Sequence, residues 1–390
     1  MSFLIDIDTT HEGLKDSSSV AGRLWLKEFA FHFKQQCKEN AALIILCIIA
    51  FLGMRLTIGI LGEVDQRTFL DYIKRALFST TPFILACYVF VRFFRRFFYE
   101  KTDDIISETL ADVKNVIIDP RRYARMMPML LFTSFGFIAF ITFKVFIPKI
   151  IPFYGDTLFM EMDKFIHFGT LPTDWLAWLL DVPWVMHLLD YSYKFWYCLM
   201  FGLWAWAAWG ASDNNWRRQY VLSFMLCWII GGAVLATLLS SVGPCFYGIF
   251  VEGVNPYANY MAELNALHED KRLMAVEIQQ VLSTINITPE AHDVRIGISA
   301  MPSLHNTLAV LFAIAGYKIH RNFGHILAVY AVMIFIGSIA LGWHYAIDGY
   351  AGLILAFAMW YLAAWILKVQ DKWVAKIQAK LVHSRAALSG

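Results

Sequence analysis

The sequence predicts an all-α protein, a polytopic membrane helix bundle with about eight transmembrane helices. Hydrophobic residues make up 58% of the 390 residues and charged residues 16%, whereas soluble domains average about 45–50% and about 25%. A soluble fold of this size would leave much of that apolar excess in water. Segments of about 20 apolar residues, the length that crosses a bilayer, recur along the chain. The net charge of +2 argues against a nucleic-acid-binding protein, which would carry a concentrated basic surface.

Eight segments have the length and composition of membrane spans. They are residues 41–62, 77–98, 127–148, 191–210, 219–241, 302–318, 323–342 and 345–367. The stretch from Trp175 to Leu189 is also apolar, but Asp181 and Pro183 interrupt it. We therefore expect an interfacial or re-entrant segment there.

The lysines and arginines predict how these spans are oriented. Most of them lie in the N-terminal segment, in every second connection and in the C-terminal tail. The remaining connections carry fewer cations and more acidic residues. Both termini are therefore expected in the cytoplasm.

The chain is expected to divide into three parts. Residues 1–126 hold a cytoplasmic segment and two accessory spans, residues 127–367 hold six spans, and residues 368–390 form a basic cytoplasmic tail. The longest outer connection, 242–301, has a helix-favouring middle at about 257–283. Loops of this length are uncommon unless they are functional. It is either a cap over a site at the outer face or a surface helix.

Two polar sequences interrupt the apolar pattern where spans begin. Gly297–His305 enters the sixth span and Gly342–Gly349 enters the eighth. The predicted topology puts both on the outer side of the bilayer. His305, His344 and Asp348 can therefore converge.

The spacing of His344 and Asp348 predicts a catalytic pair. Four residues apart on a helix, they would lie on one face, where the carboxylate can accept the imidazole N–H, fix its tautomer and stabilise the charged ring. An Asp in an apolar helix costs roughly 2.5–3.5 kcal/mol at the bilayer centre and is a functional candidate. Helix capping is the structural alternative for Asp348.

The start of the sixth span has the features of an anion-binding helix end. Pro302 is expected in the first helical turn, with Ser303 and His305 beside it. A helix N-terminus offers free N–H groups and the positive end of the helix dipole, which suit a phosphate oxygen.

These motifs resemble those of the type 2 phosphatidic acid phosphatase superfamily. The resemblance rests on Pro302-Ser303-Leu304-His305, followed about 40 residues later by His344-x-x-x-Asp348. Ala300–His305, His344–Asp348 and Gly243–Tyr247 look like motifs of the branch that contains the inositol phosphorylceramide synthases. The resemblance implies a six-helix catalytic core over residues 127–367.

The resemblance also implies a role for each residue. His344 would attack phosphorus to form a phosphohistidine, Asp348 would orient and polarise His344, and His305 would protonate the leaving lipid oxygen and then deprotonate the acceptor. No metal and no other cofactor is required in this family. The residues expected to bind substrate are Ser303, Arg295, Tyr247, Gly243, Pro244 and Tyr345.

The chain departs from the phosphatases of this superfamily in its cations. They carry Lys-x6-Arg-Pro in the first motif and Ser-Arg before the catalytic His, where this chain has Leu238–Pro244 and Gly337-Ser338. A phosphoryl group in transit needs electrostatic partners. Arg295 is the first candidate, with a solvated loop residue as its alternative interpretation, and Lys149 and Lys164 are the others.

These features predict an integral membrane phosphotransferase. It would move a phospho-head-group, such as phosphoinositol, from a phospholipid donor to a lipid alcohol acceptor of the ceramide or diacylglycerol kind. A hydrolase of lipid phosphates or polyprenyl pyrophosphate is the alternative, since it would use the same histidines and aspartate. A transporter is a third hypothesis, but the internal charges do not form the paired midplane sites that it would need.

The predicted location is the bacterial inner membrane with the site on the periplasmic face. A Golgi membrane with a lumenal site is the alternative. The expected partners are the two lipids and the bilayer, without nucleic acid.

Overall fold

The computed structural model describes residues 8–62, 104–209, 215–287 and 297–389, together with Val89, Phe93 and Arg96. Within these ranges the chain folds into helices and contains no strand. The predicted all-α polytopic bundle is therefore confirmed.

The main helices are numbered here in chain order. The N-terminal part contains α1 (Asp8–Glu39), α2 (Ala41–Leu61), α3 (Ile105–Ile118) and α4 (Pro120–Lys144). The middle part contains α5 (Asp156–Ile166), α6 (Pro183–Trp209), α7 (Asn215–Leu226), α8 (Ala258–Lys271) and α9 (Met274–Ile287). The C-terminal part contains α10 (Leu304–Ile319), α11 (Arg321–Ala340) and α12 (Ala346–Ser389). α7 continues without a break as a π-helical segment, Cys227–Leu235, and a last turn, Ala236–Leu238.

In the described part of the chain, five helices are long and apolar enough to cross a membrane. They are Ala41–Leu61, Pro120–Lys144, Trp216–Leu238, Arg321–Ala340 and Ala346–Ile377. The chain is therefore an integral membrane protein. α10 is apolar but shorter, with 16 residues, and α6 is long but contains Asp190 and Lys194 among its 27 residues. The predicted span 77–98 falls outside the described residues, apart from the three single residues named above.

Two helix boundaries differ from the sequence-based prediction. α6 begins at Pro183, before the predicted start of the span at residue 191, and so includes the second half of the stretch from Trp175 to Leu189. Proline suits a first helical turn, where its missing N–H has no partner to lose. The first half of that stretch is also helical, in Pro172–Leu176 and the 3-10 helix Ala177–Asp181. Whether the stretch is interfacial or re-entrant stays a prediction. The expected tail 368–390 is for the most part a continuation of α12, which runs for 44 residues. At 1.5 Å per residue that is about 66 Å, roughly twice the hydrocarbon thickness of a bilayer.

The helix-favouring middle of the connection 242–301 forms α8 and α9, as its composition predicts. The hydroxyl of Tyr260 donates to the carbonyl of Ala340, and the side-chain amide of Gln279 donates to the carbonyl of Leu341, each at 2.7 Å. Leu264 in α8 is 0% exposed. The connection therefore packs onto the end of α11 and is not a loose surface helix.

α10 lies at the centre of the bundle. It packs against α6, α11, α12 and the π-helical segment. Its residues Leu308, Leu311 and Phe312 are fully buried. We call the end of the bundle where α10 and α12 begin, and where α4 and α11 end, the loop end.

Two helices pack closely at the loop end because the residue at their contact is a glycine, which has no side chain. A Cβ atom added at Gly352 of α12 would lie 2.8 Å from the carbonyl oxygen of Ser303 and 3.2 Å from the backbone nitrogen of Thr307. Backbone atoms at that distance have no room for a side chain. The start of α10 is therefore held directly against the first turns of α12.

We expect Gly352→Ala to separate these helices and to destabilise the protein by about 1–3 kcal/mol, the usual cost of overpacking a filled core. The measurement is thermal unfolding of the full chain in detergent. Gly202→Ala is the matched control, since nothing lies within 4 Å of a Cβ at Gly202 in α6. Equal melting temperatures for the two variants would contradict this close packing.

Candidate active site

His344 and Asp348 meet at the start of α12, but not as neighbours on one helix. α12 begins at Ala346, so His344 lies in the segment before the helix and Asp348 in its first turn. His344 Nδ1 lies 3.1 Å from Asp348 Oδ2. The same carboxylate oxygen accepts the backbone N–H of Tyr345 at 3.1 Å, which resembles the second half of a capping box. Asp348 therefore caps its helix and contacts His344 with one oxygen.

The contact between His344 and Asp348 is shielded from water. His344 is 7% exposed and Asp348 is 0% exposed. A carboxylate beside Nδ1 favours the tautomer with the proton on Nδ1, which leaves the lone pair on Nε2. In the described part of the structure, Nε2 of His344 makes no hydrogen bond.

His305 lies beside this pair, as the second residue of α10. The centroids of the His305 and His344 rings are 6.3 Å apart. The ring of His305 stacks on Tyr193 at 4.3 Å and packs against Trp196 at 4.4 Å. Trp196 also donates its indole N–H to the carbonyl of His305 at 3.0 Å. The three residues predicted to be catalytic thus converge, and aromatic rings of α6 hold one of them.

Ser303 is the N-cap of α10, and its contact with substrate stays a prediction. It is 0% exposed, and its Oγ accepts the side-chain amide of Asn306 at 3.0 Å and the backbone N–H of Asn306 at 3.4 Å. Its own N–H donates to the carbonyl of Asp348 at 3.1 Å, which ties α10 to α12. Pro302 precedes the cap and is not in the first helical turn as expected, because the helix begins only at Leu304.

Asp163 of α5 holds the first turn of α12. Its two carboxylate oxygens accept the N–H groups of Ala346 at 2.8 Å and Ile347 at 2.9 Å. Burial raises the pKa of Asp163 to about 6, although these two hydrogen bonds lower it. The Nε2 atom of His167 lies 3.0 Å from the hydroxyl of Tyr350, so α5 contacts α12 at a second point.

Asp156, at the start of α5, holds the segment that packs against Trp343, the residue before His344. Its carboxylate accepts the N–H groups of Val242 and Gly243 at 2.9 and 3.0 Å and the hydroxyl of Tyr345 at 2.8 Å. Burial raises the pKa of Asp156. Gly243 has φ +89°, and a Cβ there would lie 2.6 Å from the carbonyl oxygen of Trp343. Only glycine fits at this position, where the backbone contacts the residue directly before His344.

The other residues expected to bind substrate have different positions. Gly243 and Tyr345 donate hydrogen bonds to Asp156, and Pro244 and Tyr247 follow Gly243 in the chain. All four are buried. The ring centroids of Tyr247 and Tyr345 lie 5.6 and 5.9 Å from that of Tyr257. Arg295 lies outside the described residues. Their contact with substrate remains a prediction.

The two lysines offered as phosphate partners are occupied in other ways. Lys164 pairs with Glu161 at 3.3 Å. Lys149 is exposed and lies over the ring of Phe146 at 5.8 Å.

Sequence reasoning missed the carboxylates that position this site. Asp156 and Asp163 are seven residues apart, which places them on one face of α5 two turns apart. That spacing, in a segment between two spans, is the signal that could have found them. Tyr193 and Trp196 gave no such signal, because aromatic residues are common throughout this chain.

Asp163→Asn is expected to change how stability depends on pH. An Asp in an unfolded chain titrates near 3.9, and the folded pKa is about 6. Between these values the folded protein binds the extra proton, so this group stabilises the fold as pH falls and the gain is lost as pH rises through 6. Asparagine does not titrate.

The melting temperature of the wild type minus that of Asp163→Asn should therefore increase from pH 7 to pH 4.5, by about 2 °C or more. The measurement is thermal unfolding of both proteins in the same detergent. All other titrating groups are shared and cancel in the difference. A difference that stays constant, or decreases, on acidification would contradict the raised pKa.

Comparison with known proteins agrees with this arrangement. Searches of curated proteins and of solved structures gave no significant match. A family model described as the PAP2 superfamily matches residues 157–362, which span α5 to α12 and both histidines. The match begins after α4, so the expected catalytic core from residue 127 is longer than the matched region. Because the match covers more than half of the chain, the protein belongs to the PAP2 superfamily.

Proposed function

We propose that the protein transfers a phospho-head-group from a phospholipid to a lipid alcohol through a phosphohistidine at His344. Members of the PAP2 superfamily are phosphatases and phosphotransferases of lipid phosphates. The observation that carries the proposal is the pairing of His344 with a buried Asp348 at 3.1 Å, with the His305 ring 6.3 Å away.

The first step would use each of the three side chains. Nε2 of His344 attacks phosphorus, and the bond from phosphorus to the oxygen of the leaving lipid alcohol breaks. His305 gives its proton to that oxygen. Asp348 accepts the Nδ1–H and stabilises the positive charge that develops on the ring. The phospho-head-group is then bonded to His344.

The second step returns the enzyme to its starting state. Neutral His305 takes the proton of the acceptor hydroxyl as its oxygen attacks phosphorus, and the P–N bond breaks. The acceptor receives the phospho-head-group and His344 regains its lone pair. Water in place of the alcohol would make the same steps a hydrolysis.

Two observations support an alcohol acceptor over water. The chain lacks the cations of the phosphatase motifs. A phosphodiester carries less negative charge than a phosphomonoester, so an enzyme that transfers its head group to an alcohol needs fewer cations. The ring of His305 is also enclosed by Tyr193, Trp196 and Tyr197, at 4.3, 4.4 and 6.1 Å. Such an apolar enclosure restricts water and suits a lipid. Membership of the inositol phosphorylceramide synthase-like branch is part of the proposal.

His344→Ala should reduce turnover of every substrate by about 10⁴-fold or more, because it removes the nucleophile. Wild-type protein quenched during turnover should carry an acid-labile phosphoryl group that is missing from the variant. His325→Ala is the control, since His325 is exposed at the other end of the bundle. Retained turnover in His344→Ala, with a normal melting temperature, would rule out the covalent step.

Addition of a lipid alcohol should separate transferase from hydrolase. Purified wild-type protein would be given a panel of labelled phospholipids, with and without ceramide or diacylglycerol, and the products would be identified by mass spectrometry. A transferase forms a new phospholipid in proportion to the acceptor and releases little free phospho-head-group. Release that is unchanged by any acceptor would make the protein a hydrolase.

A further inference from the structure

Lys144 is a cation at the loop end that sequence reasoning did not single out. It is the last residue of α4, lies outside the region that matches the family model, and is half-buried. In the described part of the structure it forms no ion pair and no side-chain hydrogen bond. A half-buried lysine without an anionic partner can bind a negatively charged group that comes within reach.

Contacts around α4 place Lys144 beside the start of α10. One turn before it, Phe140 packs with Leu304 over Gly232, where an added Cβ would lie 2.5 Å from the Phe140 ring and 2.7 Å from Leu304. Gly297, in the segment that leads into α10, lies against the backbone of Lys144, since a Cβ atom added at Gly297 would collide with the carbonyl group of Lys144. Leu304 directly precedes His305.

Lys144 also lies near one of the predicted catalytic residues, His305. It acts electrostatically on His305, as does His344. Lys144 is therefore close enough to His305 for their charges to interact.

Two buried donors near His305 have no partner in the described part of the structure. They are the hydroxyl of Tyr193 and the indole N–H of Trp343. The two rings stack with centroids 6.4 Å apart and planes within 3°, and Tyr193 stacks on His305 as described above. Tyr193 is 7% exposed. Buried donors in native proteins are nearly always paired, so both are suited to a bound acceptor.

We propose that Lys144 binds the charge of the substrate's phosphate group and that Tyr193 and Trp343 donate hydrogen bonds to its oxygens or to the adjoining head group. The proposal rests on the proposed function, because it completes that site. These residues of α4, α6 and the segment before α12 would take the place of the cations that the phosphatases carry in Lys-x6-Arg-Pro and Ser-Arg. The ligand it predicts is an anionic phosphate ester.

The test is kinetic, on the full chain in detergent with the labelled phospholipid panel. Lys144→Met keeps the length of the side chain and removes its charge, so kcat/KM should fall by about 10²-fold, the usual effect of removing one transition-state donor. Lys144→Arg should restore at least a tenth of the wild-type value. Tyr193→Phe, which removes only the hydroxyl, should reduce kcat/KM by about tenfold, and Trp343→Phe by a similar factor.

Lys318→Met is the matched control, because it makes the same change at the exposed far end of α10. The loss in Lys144→Met should also be larger for a phosphomonoester than for a phosphodiester, since the monoester carries more charge. A purely structural role would reduce both equally and would lower the melting temperature. Activity of Lys144→Met within threefold of wild type would overturn the proposal and leave the proposed function standing.

A second readout does not depend on turnover. Inorganic phosphate, compared with chloride at equal ionic strength, should raise the melting temperature of the wild type, and this shift should be lost in Lys144→Met and Tyr193→Phe. If the wild type processed no lipid in the panel, the proposed function would fail. The shift in melting temperature would then decide on its own whether Lys144 binds an anion. A shift that is absent from the wild type, or unchanged in both variants, would then overturn the anion site.

Discussion

The two N–H groups that open α12, those of Ala346 and Ile347, both donate to the carboxylate of Asp163. A helix N-terminus always leaves such groups without an intrahelical partner, and burying them unpaired is costly. Asp163 satisfies them from a different helix and places negative charge at the positive end of the helix dipole. The position of Asp348, and through it of His344, therefore depends on a residue nearly two hundred positions earlier in the chain.

The same arrangement recurs at two other points near the loop end. Asp156 accepts the N–H groups of Val242 and Gly243, and Asp190 of α6 accepts those of Met274 and Ala275, where α9 begins, at 2.8 and 2.9 Å. All three aspartates are 1% exposed. Hydrogen bonds to charged groups contribute about 1.5–3 kcal/mol each. Buried carboxylates thus fix the backbone segments between the apolar helices, which apolar packing alone does not orient.

The helices could be predicted from the sequence more completely than the site. Apolar length located α2, α11 and the spanning part of α12, because a membrane span is a local property of about 20 residues. The pairing of His344 with Asp348 was also predictable, but its geometry was not, since a spacing of four does not show that α12 begins between them. The roles of Asp156, Asp163 and Lys144 depend on which segments meet in space. The seven-residue spacing of Asp156 and Asp163 shows that they share a helix face, but it does not show which N–H groups they contact, and Lys144 looks like any lysine near the end of a span.

The length of α10 determines how deep the two histidines lie. Its 16 residues span about 24 Å, some 6 Å less than the hydrocarbon core of a typical bilayer. If its far end lies at one membrane surface, the helix stops short of the other surface, and His305 lies beneath the plane of the lipid phosphates. A phospholipid must then be drawn inward by several ångströms, or the bilayer must thin locally, before its phosphorus can meet His344. Lipids whose head groups resist such displacement would be poor substrates regardless of their chemistry.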